Sequence, residues 1–177
     1  MKKYCAFLRG VNVKGTNMKM ADVCKVFLDS GMENVSSVLA SGNILFQSDK
    51  DSVELKKILE KAMSEHFNYD AFLFVKNEKE INEILANDPF LPIENFHSYI
   101  FLGLEKVEET LLEEFEKSRK AEGEKGKIVN NIFYWQVPKG QTLDSDFGKV
   151  LGKKSLKDKM TSRNANTFEK IIYKFGK

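Results

Sequence analysis

Arg9, Asn12, Ser41 and Asn43 in the first third of the chain, and Arg163 and Asn164 near its end, are the residue types best suited to chemistry on an anion. Arginine offers a planar, permanently charged fork of donors, asparagine both donors and acceptors, and serine a hydroxyl. That inventory fits a phosphate or a carboxylate. Arg9 and Asn12 sit in Phe7-Leu8-Arg9-Gly10-Val11-Asn12-Val13-Lys14-Gly15-Thr16-Asn17, an apolar run that breaks into a glycine-punctuated loop ahead of an amphipathic helix pattern. Gly10 and Gly15 let backbone approach a ligand closely, and a helix N-terminus near Asn17 would add partial positive charge. The same residues have a plainer reading, in which the glycines shape a strand-to-helix loop, Asn17 caps a helix and Ser41-Gly42-Asn43 is a hairpin turn.

The second polar cluster is Met160-Thr161-Ser162-Arg163-Asn164-Ala165-Asn166-Thr167, ahead of a terminal helix pattern. Thr161, Ser162 or Asn164 would cap that helix. Capping does not account for Arg163, because a cation near a helix N-terminus is unfavourable unless an anion sits nearby. One anion site shared by Arg9 and Arg163 is therefore expected. Gly10 to Thr16 nearly spells a phosphate-binding loop, but that motif needs lysine directly after the second glycine, where this chain has Thr16. Asp22 could act as a base near Arg9, although an acid in a first helical turn is already explained by the helix dipole. His66 and His97 have no third partner in view, which favours packing or surface roles. Cys5 and Cys24 lack paired spacing and fall on apolar faces as free thiols, so no metal site or cofactor is expected.

The elements that position these residues follow from periodicity. Tyr4 to Arg9 reads as a strand, then Met20, Val23, Cys24, Phe27 and Leu28 recur at helical spacing until Gly31, a left-handed C-cap. Val35 to Ala40 and Asn43 to Gln47 flank the Ser41-Gly42 turn, a helix stripe runs from Leu55 to His66, and Ala71 to Val75 closes the set. This β-α-β-β-α-β order over 3–76 is the split βαβ, ferredoxin-like arrangement, which places the end of the first strand beside the start of the third. Asn77 to Glu80 has capping-box spacing before a short helix, with breaks at Pro89 and Pro92. The pattern then restarts. Ser98 to Leu102 reads as a strand, Val107 to Phe115 as a helix, Lys127 to Val137 as a hairpin around Asn130-Asn131, 144–151 as a helix, and Ala165 to Phe175 as the last helix. Glu122 to Lys127 is the most loop-like stretch. No fourth strand is evident for this second set. The expected fold is α+β: two ferredoxin-like (α/β plait) units, antiparallel sheets with helices packed on one face, the second repeat imperfect. The units are a first domain 1–76, a connecting helix and linker 77–96, and a second plait-like unit 97–177.

With 177 residues, 42% of them hydrophobic and 14 of them Phe, the chain has ample material for packed cores. Its apolar runs are too short for a membrane helix and its start too short for a signal peptide, so a cytoplasmic, non-membrane protein is expected. The net charge of +2 hides an uneven distribution: residues 77–116 carry 2 basic and 11 acidic side chains, and residues 117–177 carry 15 and 6. Such blocks are solvated faces first, and binding surfaces second.

Four segments are specific when taken together: Leu8-Arg9-Gly10-Val11-Asn12-Val13-x-Gly15, Lys19-Met20-Ala21-Asp22, Ser41-Gly42-Asn43-Ile44-Leu45-Phe46 and Thr161-x-Arg163-Asn164-x-x-Thr167. In this order they resemble the bacterial family known as domain of unknown function 1697. The resemblance implies a pair of α/β-plait subdomains and brings Thr167 into the candidate set; it supplies no activity and no catalytic residues. The expected function is binding of a small anionic or phosphorylated ligand in a cleft between the units, by Arg9, Gly10, Asn12, Gly15, Ser41, Asn43, Arg163, Asn164 and Thr167. The alternative is RNA or single-stranded nucleic acid, since ferredoxin-like sheets serve as RNA platforms and Lys149, Lys153, Lys154, Lys157 and Lys159 crowd a short segment. Against it, Asn43 to Gln47 lacks an aromatic-rich third strand. A further alternative is a protein-interaction module using the acidic 105–116 helix.

Overall fold

A computed structural model describes residues 1–11 and 18–177. The element order is β1 (Lys2–Leu8), α1 (Met20–Asp29), β2 (Glu33–Val38), β3 (Asn43–Ser48), α2 (Ser52–Phe67), β4 (Leu73–Asn77), α3 (Glu78–Ala86), β5 (Phe96–Gly103), α4 (Val107–Lys117), β6 (Lys125–Val129), β7 (Ile132–Pro138), α5 (Asp146–Val150), α6 (Lys154–Lys157), β8 (Met160–Asn164) and α7 (Ala165–Phe175). Two four-stranded antiparallel sheets result, ordered β2-β3-β1-β4 and β6-β7-β5-β8. The two orders are the same permutation of successive strands, so the second unit repeats the full strand order of the first.

The strand that completes it is β8, pairing antiparallel with β5 from Tyr99↔Asn164 to Gly103↔Met160. It escapes a reading by hydrophobic alternation because only Met160 is apolar; its other residues are polar, and an edge strand can use them if their donors are satisfied locally. What differs between the units is the second helix. The 16 residues of α2 correspond to the two short helices α5 and α6, of 5 and 4 residues. Glu122 to Lys127 is also more ordered than its composition suggests. Glu124 is buried, its Oε1 accepting from the Trp135 indole Nε1 at 2.9 Å and its Oε2 from Ala121 N at 2.7 Å, and β6 starts at Lys125.

Contacts divide the chain into Met1–Asn82 with Glu169–Lys177, and Glu83–Phe168. The divisions fall inside α3 and α7 rather than at the prolines, because those helices bury apolar residues along their length: Ile81 and Ile84 in α3, Phe168, Ile171 and Phe175 in α7. Pro89 and Pro92 interrupt regular structure without ending a core.

In the first unit Tyr4, Ala6, Leu8, Ile44, Phe46, Leu73 and Val75 share the sheet face that packs on Val23, Val26 and Phe27 of α1 and Leu55, Leu59 and Met63 of α2. Local signals fix these helices. Asp51 caps α2 by accepting from Val53 N and Glu54 N, Gly31 ends α1 at φ +85°, and Asn77 with Glu80 forms the reciprocal box that starts α3, both bonds 2.9 Å. Asn130 and Asn131, at φ +48° and +62°, make the β6–β7 turn. The second core is built from aromatic rings: Phe101, Phe115, Phe133, Trp135 and Phe147, with Trp135 and Phe147 edge-to-face at 5.1 Å.

Candidate functional site

Antiparallel pairing of β1 with β3 ends at Phe7↔Asn43, and Leu8 N donates to Gly42 O at 2.8 Å. Arg9-Gly10 and Ser41-Gly42-Asn43 are thus neighbours at one end of the first sheet, as the strand order requires. Arg9 N donates to Phe72 O at 3.0 Å, and Gly10 turns the chain away at φ +73°. Gly42, at φ +80°, has no room for a side chain: a Cβ there would lie 3.1 Å from both Leu8 Cβ and Val11 Cγ2. Asn43 is fully buried, and its Nδ2 donates to Val38 O at 2.9 Å and Ser41 Oγ at 3.0 Å. Its amide nitrogen therefore braces the β2–β3 turn and orients the Ser41 hydroxyl. Asn12, Gly15 and Asn17 lie outside the described residues; α1 begins after Lys19, which makes no side-chain cap.

Arg163, Asn164 and Thr167 belong to the second unit. Arg163 is on β8 opposite Ile100 and two residues ahead of the first residue of α7, so it keeps its place before a helix N-terminus but is also held in a strand. It is 9% exposed, and its Nη1 donates to Thr161 Oγ1 at 2.6 Å and Ser162 O at 2.8 Å. Asn164 does the capping, its Oδ1 accepting from Asn166 N at 3.0 Å. That bond fixes the amide so that Nδ2 faces His97 Nδ1 at 3.0 Å, which makes Nδ1 the acceptor and leaves the imidazole proton on Nε2. His97 and Asn164 are 67 residues apart and no spacing links them; only the β5–β8 register, unreadable while β8 was unseen, pairs them. Thr167 is buried in the first turn of α7. His66 is exposed, edge-on to Phe67.

The basic segment and the acidic helix meet within the second unit. Lys153 pairs with Glu114 of α4 at 3.6 Å, and Arg119 with Asp146 at 3.8 Å. Lys149, Lys153, Lys154, Lys157 and Lys159 are all exposed. A cavity of about 270 Å³ beside them is lined by Lys106, Thr110, Glu114, Lys153 and Lys159. On the sheet faces opposite the helices, Cys5, Phe7 and Leu45 in the first unit and Ile100, Leu102 and Tyr134 in the second are all under 5% exposed. An RNA platform of this fold shows such rings to solvent.

Burial and the charges of Asp51 and Glu80 push the Tyr4 hydroxyl up, and burial with the charge of Glu60 pushes Tyr69 up to about 12. Burial likewise raises the Cys24 thiol against the opposing influence of Lys174 and a hydrogen bond from Ser37. Among the described residues no cluster of three His, Cys, Asp or Glu side chains could hold a metal, and no helix is long and apolar enough to cross a membrane.

Comparison with known proteins agrees with this architecture. The chain is similar in structure to the conserved bacterial protein SP0830 from Streptococcus pneumoniae, with a TM-score of 0.79 and 23% identity over 100% of this chain and 99% of that one. At that identity the likeness concerns the fold. No curated protein matches the chain. A family model described as protein of unknown function matches residues 1–134, from β1 into β7 and so through the Arg9 and Ser41 segments, stopping short of Thr161 to Thr167. On that match, the chain belongs to the DUF1697 family of proteins of unknown function.

Proposed function

We propose that this protein binds a small anionic or phosphorylated ligand at the end of its first sheet, where Arg9-Gly10 meets Ser41-Gly42-Asn43. The observation that supports the reading is the β1–β3 register, by which the half-buried residue Arg9 follows the strand end that neighbours the Ser41-Gly42 turn, whose hydroxyl accepts from the Asn43 amide. A permanently charged fork and a pre-oriented hydroxyl suit a tetrahedral or planar anion, and charge-assisted hydrogen bonds of this kind are the strong ones. Arg163, Asn164 and Thr167 drop to a lesser place in this reading, because Arg163 Nη1 and the Asn164 amide have partners within the second unit.

The test is a thermal-shift and calorimetric screen of the full chain with inorganic phosphate and phosphorylated metabolites. Arg9→Ala is expected to abolish the response to any ligand that stabilises the wild type, and Arg163→Ala to lower the melting temperature while leaving that response intact. A ligand bound equally well by Arg9→Ala overturns the proposal.

The five exposed lysines of 149–159 favour a second, weaker activity, non-specific attraction to polyanions such as single-stranded RNA. Counterion release would make it fade steeply with salt. Binding of labelled RNA that persists with sequence preference at high salt contradicts this electrostatic origin.

A further inference from the structure

The same β1–β3 register that brings Phe7 to Asn43 brings Lys3 to Gln47 at the other end of the strands. There, on the sheet face turned away from α1 and α2, the first unit holds a groove of about 540 Å³. Its floor includes Leu45 and Ser36, which pair across β3 and β2, and its wall is the last turn of α7 with the residues after it, Lys174, Phe175 and Lys177. Two cations are held in place over it by neutral partners. Lys174 Nζ donates to Ser37 O at 2.8 Å, and Lys3 Nζ donates to Phe175 O at 2.6 Å. Carbonyl partners fix an ammonium group without cancelling its charge. Lys177 is the third cation; its Nζ lies 4.5 Å from the centre of the Tyr173 ring. Lys3 also faces Glu78 at 3.7 Å, but among the described residues no acidic side chain lines the groove itself.

Three lysines with no acidic side chain lining the recess among the described residues would be ordinary on an open helix end, where they complement the dipole. Here they border a recess in the size range of small-molecule sites, with Leu45 and Phe175, 4% and 6% exposed, as its apolar surfaces. We propose that this groove binds a small organic anion: a carboxylate or phosphate ester carried on an apolar body, the body against Leu45 and Phe175 and the charge toward Lys174 and Lys177. The site lies at the opposite end of β1 from Arg9 and stands independently of the function proposed above.

The experiment titrates the full chain by calorimetry with phenyl phosphate, and separately with inorganic phosphate and with phenol, each of which carries half of the required chemistry. Phenyl phosphate is expected to saturate one site at least about tenfold more tightly than either half. Lys177→Met removes a cation that has no bond to the sheet, and Ser36→Asp adds a carboxylate to the floor. Each is expected to weaken phenyl phosphate by about tenfold with little change in melting temperature, whereas Arg9→Ala leaves it bound. The proposal is overturned if phenyl phosphate binds no tighter than inorganic phosphate, if both groove variants bind it normally, or if Arg9→Ala alone abolishes binding.

Discussion

Arg163 shows how strand placement changes the meaning of a charge. Ahead of α7 its charge opposes the helix dipole, which alone would make its loss neutral or stabilising; on β8 it is also buried, and its hydrogen bonds to Thr161 Oγ1 and Ser162 O brace the edge strand locally. Arg163→Ala is therefore expected to destabilise the protein by about 1.5–3 kcal/mol, the scale for hydrogen bonds to a charged group, measured by urea unfolding. An unchanged midpoint would mean these bonds contribute nothing net. Gly42 carries a comparable constraint through its backbone. At φ +80°, with Leu8 and Val11 at 3.1 Å from the missing Cβ, Gly42→Ala combines left-handed strain with a close contact in the core beside Arg9. The expected cost is about 1–3 kcal/mol, again read from the urea midpoint. Tyrosines set the alkaline limit. Tyr69 ionises near 12 in the fold and near 10 when unfolded, so the stability linked to its burial is fully present below pH 10 and is lost as pH rises through 12. Unfolding midpoints measured from pH 8 to 12 should fall across that window, and Tyr69→Phe should lessen the fall.

Among the elements, β4 is an edge strand that is closed by a helix. Leu73 turns its N–H and C=O outward, and α2 answers both: Glu60 Oε1 accepts from Leu73 N at 3.1 Å and Lys56 Nζ donates to Leu73 O at 2.6 Å, while Lys56 and Glu60 pair with each other. Lys56 also lies 4.1 Å over the Phe72 ring. Unpaired edge groups invite strand addition, so this clip guards the edge as well as fastening α2 to the sheet. Lys56→Ala with Glu60→Ala is expected to lower stability and to raise the dimer fraction in sedimentation velocity; a variant that stays monomeric at high concentration would show that the edge needs no guard. The first unit was legible in sequence because its helices carry long apolar stripes and its turns carry glycine or paired caps, Gly31, Gly42 and Asn77 with Glu80 among them. In the second, β8 was hidden because Thr161, Ser162, Arg163 and Asn164 read equally as a cap, and the split of one helix into α5 and α6 left no stripe long enough to set a phase. The Arg9–Ser41 adjacency was legible because it follows from strand order alone. The His97–Asn164 pair and the Lys3–Lys174–Lys177 groove were not, since both depend on registers between segments far apart in the chain.

At the scale of the molecule, connectivity makes the first unit depend on the chain's last residues. Glu169–Lys177 returns to it after Glu83–Phe168 has formed the second unit, so the first unit is closed only when both ends of that insertion are held. Ile171 and Phe175 are buried in this returning segment, 0% and 6% exposed, and Phe175 O accepts from Lys3. Burial of two such side chains is worth about 3–6 kcal/mol at most, on the usual 1.5–3 kcal/mol for each. Unfolding the second unit alone would leave that segment tethered by a long loose loop, whose closure entropy counts against its docking. The two units should therefore unfold together despite their separate cores. Trp135, the chain's single tryptophan, reports the second core alone, whereas far-UV circular dichroism reports both. Coincident melts by the two signals are expected for the full chain, and coincidence of probes is the criterion for one cooperative transition. Removing Glu169–Lys177 should separate them, the circular dichroism gaining an earlier phase as the first unit loosens while Trp135 fluorescence changes at nearly its original temperature. If the truncated chain still melts in one coincident step at the wild-type temperature, the returning segment contributes no closure to the first unit.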